Sequence, residues 1–368
     1  MRKGRGVALL AMKTAAQRKG MRVVYCTSVM ASFARNDIAL LQDDFRTEVF
    51  HFDPPRKIST PWTLLRQLFF LLRTLPGASI SVTQFGGYHA VLPVALGKLF
   101  NVPSLLVLGG TESAKFPSVG YGNYTRWPLG ALTHWALRHA THLAPVDESL
   151  VSSAYKYAPH PADPVRQGYQ GLYPDIRTPH TTLAYGYDAE LFRPQGERHP
   201  GTFLTVSRMN APNFYRKGAD LVFQMARRFP DLRFTIVGDV PGMEYPPIPA
   251  NVELLRAVPY DELPAFYSSH TFYLQLSLWE GFPSAPCEAM LCGCVPIVSS
   301  VAALPEIVGD VGLVLERKDP DVLEALIRKA LALDTASLGQ RARERIMTRW
   351  PKEHRRKLIE LVERLARS

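Results

Sequence analysis

The stretch "LSLWEGFPSAPCEAMLCGCVPIVSS", residues 276–300, places Glu280 and Glu288 on either side of a short segment that cannot be one continuous helix. That segment holds one glycine and two prolines, and both residue types disfavour a helix interior. Apolar, strand-like runs precede and follow it. We therefore expect a strand, a tight turn, a short helix and a second strand, with both carboxylates at the mouth of the turn and facing one ligand.

The same alternation of strand-like and helix-like runs extends along the whole chain, as is typical of parallel α/β domains. In the first half, strands are expected at residues 21–27, 47–52, 79–85, 103–110, 141–146 and 181–185. In the second half, they are expected at residues 201–207, 233–239, 252–258, 271–278, 295–300 and 311–316. The predicted fold class is α/β, with two Rossmann-like parallel domains that face a central cleft.

A polar segment that contains proline and glycine, residues 193–201, has the composition of an interdomain linker. It divides the chain into a first domain at residues 21–195 and a second domain at residues 196–345. Residues 1–20 form a basic N-terminal extension in this scheme. Residues 346–368 form a C-terminal helix that could pack back on the first domain.

The net charge of +10 is concentrated in the first half of the chain. Residues 1–194 hold 21 basic and 12 acidic residues. Nucleic acid and an anionic membrane both fit a basic domain, but no helix-turn-helix or zinc-binding motif supports nucleic acid. No apolar run reaches the roughly 18 to 20 residues that a membrane span needs, and we expect a cytoplasmic protein. The cysteines are expected to be small apolar packing residues: Cys26, Cys287, Cys292 and Cys294.

Charged and small residues follow three strands of the second half at the edge where open parallel sheets bind ligands. Arg208, Gly238 and Glu280 each stand at such a strand end, and Lys217 precedes a glycine at the start of a helix. The two cations could hold a diphosphate. The carboxylate of Glu280 could accept hydrogen bonds from sugar hydroxyls.

The helix after the turn completes this candidate site. Ser284 is a candidate N-cap, so free backbone N–H groups would face the same anion. Glu288 is expected in the first turn of that helix, where it could accept hydrogen bonds from a ribose diol. The two glutamates would then bracket a nucleotide diphosphate-sugar.

As an ensemble these motifs resemble the retaining family 4 glycosyltransferases of GT-B architecture, within glycosyl transferases group 1. The matching features are Arg208, Lys217–Gly218 and the segments 237–239, 258–270, 280–290, 292–300 and 304–315, with weaker landmarks at 145–150 and 185–194. The resemblance implies a nucleotide-sugar donor on the second domain and an acceptor on the first. It implies catalytic roles for Arg208, Lys217 and Glu280. It also implies a donor-binding set: Gly238, Val258, Gly281, Phe282, Pro283, Ser284 and Glu288.

Two family features are missing from the first domain. The loop after the first strand, "CTSVMASFARND", lacks the usual Gly-Gly pair, and "LGGTESAKF" stands where many members carry a histidine near the transferred sugar. Gly110, Thr111 or Glu112 are candidates for that place on the acceptor side. His89 could line the acceptor cleft, or it could be a structural histidine at a helix start.

The implied activity is transfer of a sugar from a nucleotide diphosphate-sugar to a glycan or lipid-linked acceptor, with retention, in cell-surface polysaccharide or glycolipid synthesis. No metal or other cofactor is expected, because cations of the protein and a helix N-terminus can stabilise the departing diphosphate. The Asp-x-Asp triplet Asp319-Pro320-Asp321 precedes a helix and is interpreted as a helix cap rather than a metal site. Two alternatives stay open: a non-catalytic binder or partner subunit with this fold, and a nucleotide-sugar epimerase.

The segment "PWTLLRQLFFLLRTLP", residues 61–76, permits two interpretations. It is rich in leucine and phenylalanine and has only Arg66 and Arg73 as charged residues. It could be a buried crossover helix, or it could lie in a membrane interface with its arginines near anionic headgroups. Residues 1–22 add seven basic and no acidic residues, which favours a peripheral protein on the cytoplasmic leaflet.

Overall fold

A computed structural model describes residues 18–368, so that most of the basic extension predicted at residues 1–20 lies outside the described residues. The first sheet has five parallel strands in the order β2-β1-β3-β4-β5. These strands are β1 (Arg22–Thr27), β2 (Arg46–His51), β3 (Ile80–Gln84), β4 (Ser104–Leu108) and β5 (His142–Pro145). Every residue of β3 and β4 is buried, which is the pattern of parallel strands covered on both faces.

One helix connects each pair of successive strands in this sheet. The helices are α1 (Ser32–Asp44), α2 (Thr60–Thr74), α3 (Tyr88–Leu99) and α4 (Leu129–His139). After β5 follow a small antiparallel hairpin, β6 (Ser153–Ala154) with β7 (Arg166–Gln167), and the one-turn helix α5 (Tyr169–Leu172). Short 3-10 turns lie at residues 57–59, 111–113, 117–119, 123–125 and 148–150.

The strand expected at residues 181–185 is not formed, and this prediction is wrong. The segment runs beside β5, where Thr181 N donates to Leu143 O and Leu183 N donates to Pro145 O. Pro145 has no N–H to return a bond. The segment therefore keeps isolated hydrogen bonds to the edge of the sheet instead of a continuous ladder.

The second sheet has six parallel strands in the order β10-β9-β8-β11-β12-β13. The strands are β8 (His199–Met209), β9 (Arg233–Asp239), β10 (Val252–Arg256), β11 (His270–Gln275), β12 (Val295–Ser299) and β13 (Leu313–Leu315). The helices of this half are α6 (Ala211–Arg216), α7 (Ala219–Arg228), α8 (Leu263–Ser269), α9 (Ser284–Leu291), α10 (Leu304–Val308), α11 (Pro320–Leu331) and α12 (Thr335–Arg349). Two parallel α/β sheets confirm the predicted fold class.

The chain crosses back to the first sheet at its C-terminal end. After α12, Pro351 precedes a 3-10 turn, Lys352–Arg356, and helix α13 (Lys357–Ala366) then packs against α1 and β3. Arg355 forms a bidentate ion pair with Asp37 of α1 at 2.6 and 2.7 Å, and both side chains are buried. Its Nη1 also donates to Leu183 O at 2.7 Å. The last helix is therefore part of the first domain's packing, although it follows the second domain in sequence.

The carboxyl ends of the two sheets face each other. The loop after β4 touches the turn after β11: a methyl group added to Gly281 would overlap the carbonyl oxygen of Gly109. Beside this contact, the Tyr157 hydroxyl of the first half donates to Leu276 O at 3.4 Å. The interdomain cleft therefore contains the turn that the two glutamates flank. Across residues 18–368, none of the helices is both long and apolar enough to span a bilayer.

Candidate functional site

An ion pair between Lys217 and Glu280 lies at the centre of the candidate site. Lys217 follows α6, and Gly218 after it is the N-cap residue of α7, with a φ of +78° that favours glycine. A side chain at Gly218 would overlap Leu276, so the glycine allows Lys217 to lie close to the end of β11. Lys217 Nζ donates to Glu280 Oε1, and the two side chains are only 15% and 12% exposed. Gln275 Nε2 donates to the same carboxylate oxygen at 2.9 Å. The structure thus brings together two of the three residues expected to be catalytic.

The electrostatics of this pair favour the ionised form of the carboxylate. Burial by itself would raise the pKa of Glu280, but the charges of Lys217 and Arg216 outweigh it and lower the pKa. Burial also lowers the pKa of Lys217, which Glu280 opposes. Because the carboxylate gains more from its two cations than it loses by burial, we assign a charged pair at neutral pH.

Arg216 is a second cation at this site, and the sequence analysis did not single it out. Its guanidinium stacks over the ring of Tyr121, a first-domain residue, at 4.6 Å from the ring centroid. Asn213 fixes it, since Asn213 Oδ1 accepts from Arg216 Nε at 3.1 Å and from Nη2 at 2.8 Å, while Asn213 Nδ2 donates to Arg208 O at 2.7 Å. The adjacent residues Arg216 and Lys217 were a signal in the sequence for a second cation at this site. The contact with Tyr121 had no such signal, because Tyr121 belongs to the other domain.

Arg208 lies in a neighbouring pocket of about 530 Å³ rather than on the ion pair. It is exposed, near the end of β8, and Gly238 and Val258 line the same pocket. Gly238 has a φ of +115°, and a side chain there would overlap Ser207 O, so only glycine lets β9 turn this close to β8. Three of the predicted donor-site residues therefore share one concavity at the strand ends.

The turn from Gly281 to Ser284 supplies backbone rather than side chains. Ser284 is the first residue of α9, and the predicted N-cap role is wrong, because Pro283 occupies the cap position and no side chain caps the helix. The N–H groups of the first turn are thus left without side-chain acceptors. Phe282 is buried, with its ring 5.3 Å from that of Trp350 and 6.3 Å from that of Tyr187. It anchors the turn and does not face a ligand.

Glu288 lies in the second turn of α9, one turn later than predicted, and is 4% exposed. Its carboxylate accepts hydrogen bonds from the hydroxyls of Tyr260 at 3.2 Å and Tyr267 at 3.1 Å. Burial raises the pKa of Glu288 to about 7, and the two hydroxyls oppose this shift only in part. With Ser284 and Tyr260 it lines a pocket of about 320 Å³ that α1 closes from the first domain. A polar ligand in this pocket could replace the hydroxyl of Tyr260.

The four acceptor-side candidates separate into two kinds of position. Gly110 lies against Gly281, and Thr111 is exposed beside it. Glu112 is fully buried: Oε1 accepts from Gly109 N at 2.6 Å and Oε2 accepts from the Thr111 hydroxyl at 2.9 Å. Burial raises the pKa of this carboxyl group. Glu112 therefore braces its own loop and does not face the cleft.

His89 is likewise buried, at the start of α3. Its Nε2 lies 2.8 Å from Gln84 O, and Gln67 Nε2 donates to its backbone carbonyl at 2.8 Å. Burial lowers the pKa of His89 to about 4, although the bond to Gln84 opposes the shift. The structural alternative for this residue therefore fits its position, and a place on the cleft surface does not.

The remaining polar candidates have structural roles. Asp319 caps α11 by accepting from Asp321 N and Val322 N, which confirms the predicted helix cap. The four cysteines are free and fully buried, as predicted for packing residues. In the described part of the chain, no group of three or more His, Cys, Asp or Glu side chains could hold a metal ion. Whether activity needs a metal stays a prediction.

Two parallel α/β domains whose strand ends face one cleft, with cations and glutamates gathered on the second domain, form the arrangement known as the GT-B fold. Residues 190–346 match the family described as "Glycosyl transferases group 1". The match covers less than half of the chain, and the retaining family 4 assignment stays a prediction. One component of the phosphatidylinositol N-acetylglucosaminyltransferase of Arabidopsis thaliana is 31% identical over 157 residues, which are 40% of this chain and 35% of that relative.

The similarity to solved structures extends over nearly the whole chain. Sucrose-phosphate synthase from Thermosynechococcus elongatus superposes with a TM-score of 0.70 at 16% identity and covers 94% of this chain and 100% of its own. HepE from Anabaena, solved with UDP and glucose, superposes with a TM-score of 0.67 at 14% identity, with 93% and 99% covered. At these identities the likeness establishes the shared fold.

Proposed function

We propose that the protein transfers a sugar from a nucleotide diphosphate-sugar to a glycan or lipid-linked acceptor in cell-surface polysaccharide or glycolipid synthesis. The observation that carries the proposal is the Lys217–Glu280 pair at the contact of the two domains, beside the uncapped start of α9. A cation, a carboxylate and free N–H groups at one point suit a sugar joined to a diphosphate. The match of residues 190–346 to glycosyl transferases group 1 supports the same activity.

The donor would bind along the strand ends of the second domain. The pocket beside Arg208, Gly238 and Val258 would take the nucleoside end, and Glu288 would accept hydrogen bonds from the ribose. The diphosphate would lie between Arg208, at the edge of that pocket, and Lys217 with the first turn of α9, and Glu280 would then contact the sugar. The UDP and glucose bound by HepE, which has the same fold, support this class of donor.

In the reaction, the bond between the anomeric carbon and the diphosphate oxygen breaks, and a bond from that carbon to an acceptor hydroxyl oxygen forms. We propose retention by attack on the same face, with the acceptor's proton passing to the leaving phosphate. Fixed positive charge at Lys217 and Arg208, with the N–H groups of α9, would stabilise the negative charge on the departing group. The same groups would remove the need for a bound metal.

The acceptor would approach from the first domain, where the loop of Gly110 and Thr111 meets the turn at Gly281. The name of the Arabidopsis relative pairs a sugar with phosphatidylinositol, which supports a lipid-linked acceptor. The first-domain cleft wall formed by this loop would therefore contact the acceptor hydroxyl.

The test begins with purified full-length protein and a panel of nucleotide-sugars that differ in base and sugar, using thermal shift. The nucleotide-sugar that stabilises the protein is then used in transfer assays with glycan and lipid-linked acceptors, with and without EDTA. We expect stabilisation by one donor, release of the nucleoside diphosphate with sugar transfer, and nearly unchanged rates in EDTA. Loss of activity in EDTA that manganese or magnesium restores would contradict the metal-independent scheme.

Substitutions of Lys217 and Arg208, here called the charge clamp, test whether these two cations stabilise the departing diphosphate. Lys217→Ala and Arg208→Ala should each lower kcat/KM by about 10² to 10³-fold, the usual effect of removing one group that stabilises developing charge. Arg233→Ala is the matched control, because Arg233 is an exposed arginine at the opposite end of β9. Normal turnover in both clamp variants would refute the diphosphate assignment. Donor binding without transfer or hydrolysis would favour the non-catalytic binder, and epimerised donor without transfer would favour the epimerase.

A further inference from the structure

Helix α2 exposes two of its largest apolar side chains on the outside of the molecule. Trp62 and Phe69 are 65% and 64% exposed, and Ile58, just before the helix, is 87% exposed. Leu65 and Leu72 are also exposed. At 100° per residue these positions fall on one stripe, which extends about 15 Å along the helix from Trp62 to Leu72.

The inward face of α2 contains polar as well as apolar side chains. The buried residues of the helix are Thr63, Gln67, Leu71 and Thr74. Thr63 and Thr74 each donate a hydrogen bond to a backbone carbonyl four residues earlier, and Gln67 donates to His89 O. Leu64 and Phe70 also pack inward, against the core beside β2, so the helix is apolar on both sides. A surface helix normally buries its apolar side and exposes a polar one, and an additional exposed apolar stripe of this size indicates a binding surface.

The charge around the stripe has one sign. Residues 54–78 contain four basic residues and no acidic residue. All four are exposed: Arg56, Lys57, Arg66 and Arg73. Arg66 and Arg73 lie along one edge of the stripe, while Arg56 and Lys57 stand at its N-terminal end. An apolar stripe with a cationic border is complementary to the interface of an anionic bilayer, where rings enter the headgroup region and arginines contact phosphates.

The stripe is also oriented toward the cleft. Helix α2 follows β2 and must run back to the start of β3, so that its first turn lies near the carboxyl edge of the sheet, where the cleft opens. The bond from Gln67 to His89 O ties the middle of α2 to the start of α3, just after the carboxyl end of β3. The Ile58 and Trp62 end is therefore the end nearer to the cleft.

We infer that the exposed face of α2 is a membrane-docking surface that inserts into the headgroup region of an anionic lipid bilayer. The surface consists of Ile58, Trp62, Leu65, Phe69 and Leu72, with its border of Arg56, Lys57, Arg66 and Arg73. Docking requires neither a donor nor turnover, so it stands or falls separately from the proposed transfer. It brings the mouth of the cleft to the lipid surface.

The test is flotation of the full-length protein with vesicles of phosphatidylcholine alone or with one-third phosphatidylglycerol, at low and at high salt. We expect binding to the anionic vesicles at low salt, at least tenfold weaker binding at high salt, and little binding to the neutral ones. The double variant Trp62→Gln/Phe69→Gln should bind anionic vesicles at least about tenfold more weakly, because two large apolar side chains no longer leave water. Arg66→Glu/Arg73→Glu should weaken binding as well.

The matched control is Ile248→Gln/Met347→Gln, which removes two exposed apolar side chains from the second domain and should bind like the wild type. Trp62→Phe should keep binding while losing the part of tryptophan quenching by brominated lipid that Trp62 contributes. Wild-type protein that ignores anionic vesicles at low salt would overturn the inference. So would a Trp62→Gln/Phe69→Gln variant that binds normally, because the basic surface elsewhere would then carry the attraction.

Self-association is the competing use of such a surface, and sedimentation velocity of the same variants distinguishes it. If the wild type is a dimer that Trp62→Gln/Phe69→Gln converts to a monomer, and neither protein floats with vesicles, a second copy covers α2 and the inference is wrong. A monomeric wild type that floats with anionic vesicles supports it. Circular dichroism and donor-induced thermal shift should match the wild type in all variants, since every substituted side chain is exposed.

Discussion

Replacing Lys217 by methionine removes the charge of the central ion pair while keeping an unbranched side chain. Glu280 would then stay 12% exposed, with Gln275 as a donor and the field of Arg216 as the remaining positive charge. Leaving one charge of a buried pair without its partner costs about 3–5 kcal/mol. Because Glu280 keeps Gln275 and Arg216 as partners and is partly exposed to solvent, we expect a loss of unfolding free energy near the lower end of that range, about 3 kcal/mol. Urea unfolding measures it as a lower midpoint at unchanged slope.

A double-mutant cycle completes this test. Glu280→Gln alone leaves Lys217 buried without its carboxylate, whereas Lys217→Met/Glu280→Gln leaves neither charge. We therefore expect the double variant to be more stable than the sum of the single losses predicts, by roughly 1–3 kcal/mol, although all three variants lose transfer activity. Additive losses would refute a direct stabilising interaction between the two side chains.

The stability that Glu280 contributes through this ion pair should depend on pH in a defined direction. The pKa of Glu280 in the folded protein lies below its ordinary value of 4.5, so that its ionisation stabilises the fold above pH 4.5 and this contribution disappears as pH falls through the folded pKa. In Lys217→Met the folded pKa rises, because burial is opposed by one cation fewer. The stability deficit of Lys217→Met should thus be full at pH 7 and shrink below about pH 4.5.

Three further substitutions have defined outcomes. Glu288→Gln should stabilise the ligand-free protein at pH 8 by up to roughly 3 kcal/mol, but not at pH 4.5, and it should lower nucleotide affinity. The reason is that the folded pKa of Glu288, about 7, makes the wild type lose stability as pH rises from 4.5 to 7. Thermal melts at both pH values measure this difference. Asp37→Leu should lower the free energy of unfolding, measured in urea, by about 3–5 kcal/mol, because Arg355 stays buried without its carboxylate. Asp37→Leu/Arg355→Met should recover most of that loss. An equal loss in the single and double variants would contradict the ion-pair explanation. Gly281→Ala should lower the kcat/KM of transfer and leave the melting temperature nearly unchanged, since its methyl group meets Gly109 O across the cleft. An unchanged kcat/KM would show that the two loops can separate without a loss of activity.

Much of the fold and the general position of the site could be predicted from the sequence. Alternating strand-like and helix-like runs mark the parallel sheets, and the charged residues at strand ends must share one edge once the strands are parallel. Arg208 with Gly238, and Lys217 with Glu280, are indeed neighbours. These relations are local to one sheet, which is why sequence order alone indicates them.

The features that could not be predicted depend on contacts between distant segments. Tyr121 covers Arg216 from the other domain, and Glu112 turns back on its own loop, and neither has a local pattern. Residues 181–185 have strand-like composition but meet a strand that ends in Pro145, which cannot complete a ladder. For α2, the apolar residues are spread around the helix, and only the packing shows which of them stay exposed.

The return of the chain to the first domain determines how the cleft can open. The connections between the domains near residues 187 and 350 run side by side, since Tyr187 N donates to Trp350 O at 3.0 Å. Two adjacent, hydrogen-bonded crossings restrict the relative rotation of the domains more than one flexible tether would. Phe282 packs on both Tyr187 and Trp350 at these crossings. A rotation of the domains about these crossings would therefore act directly on the turn that carries Phe282, and so on the position of Glu280.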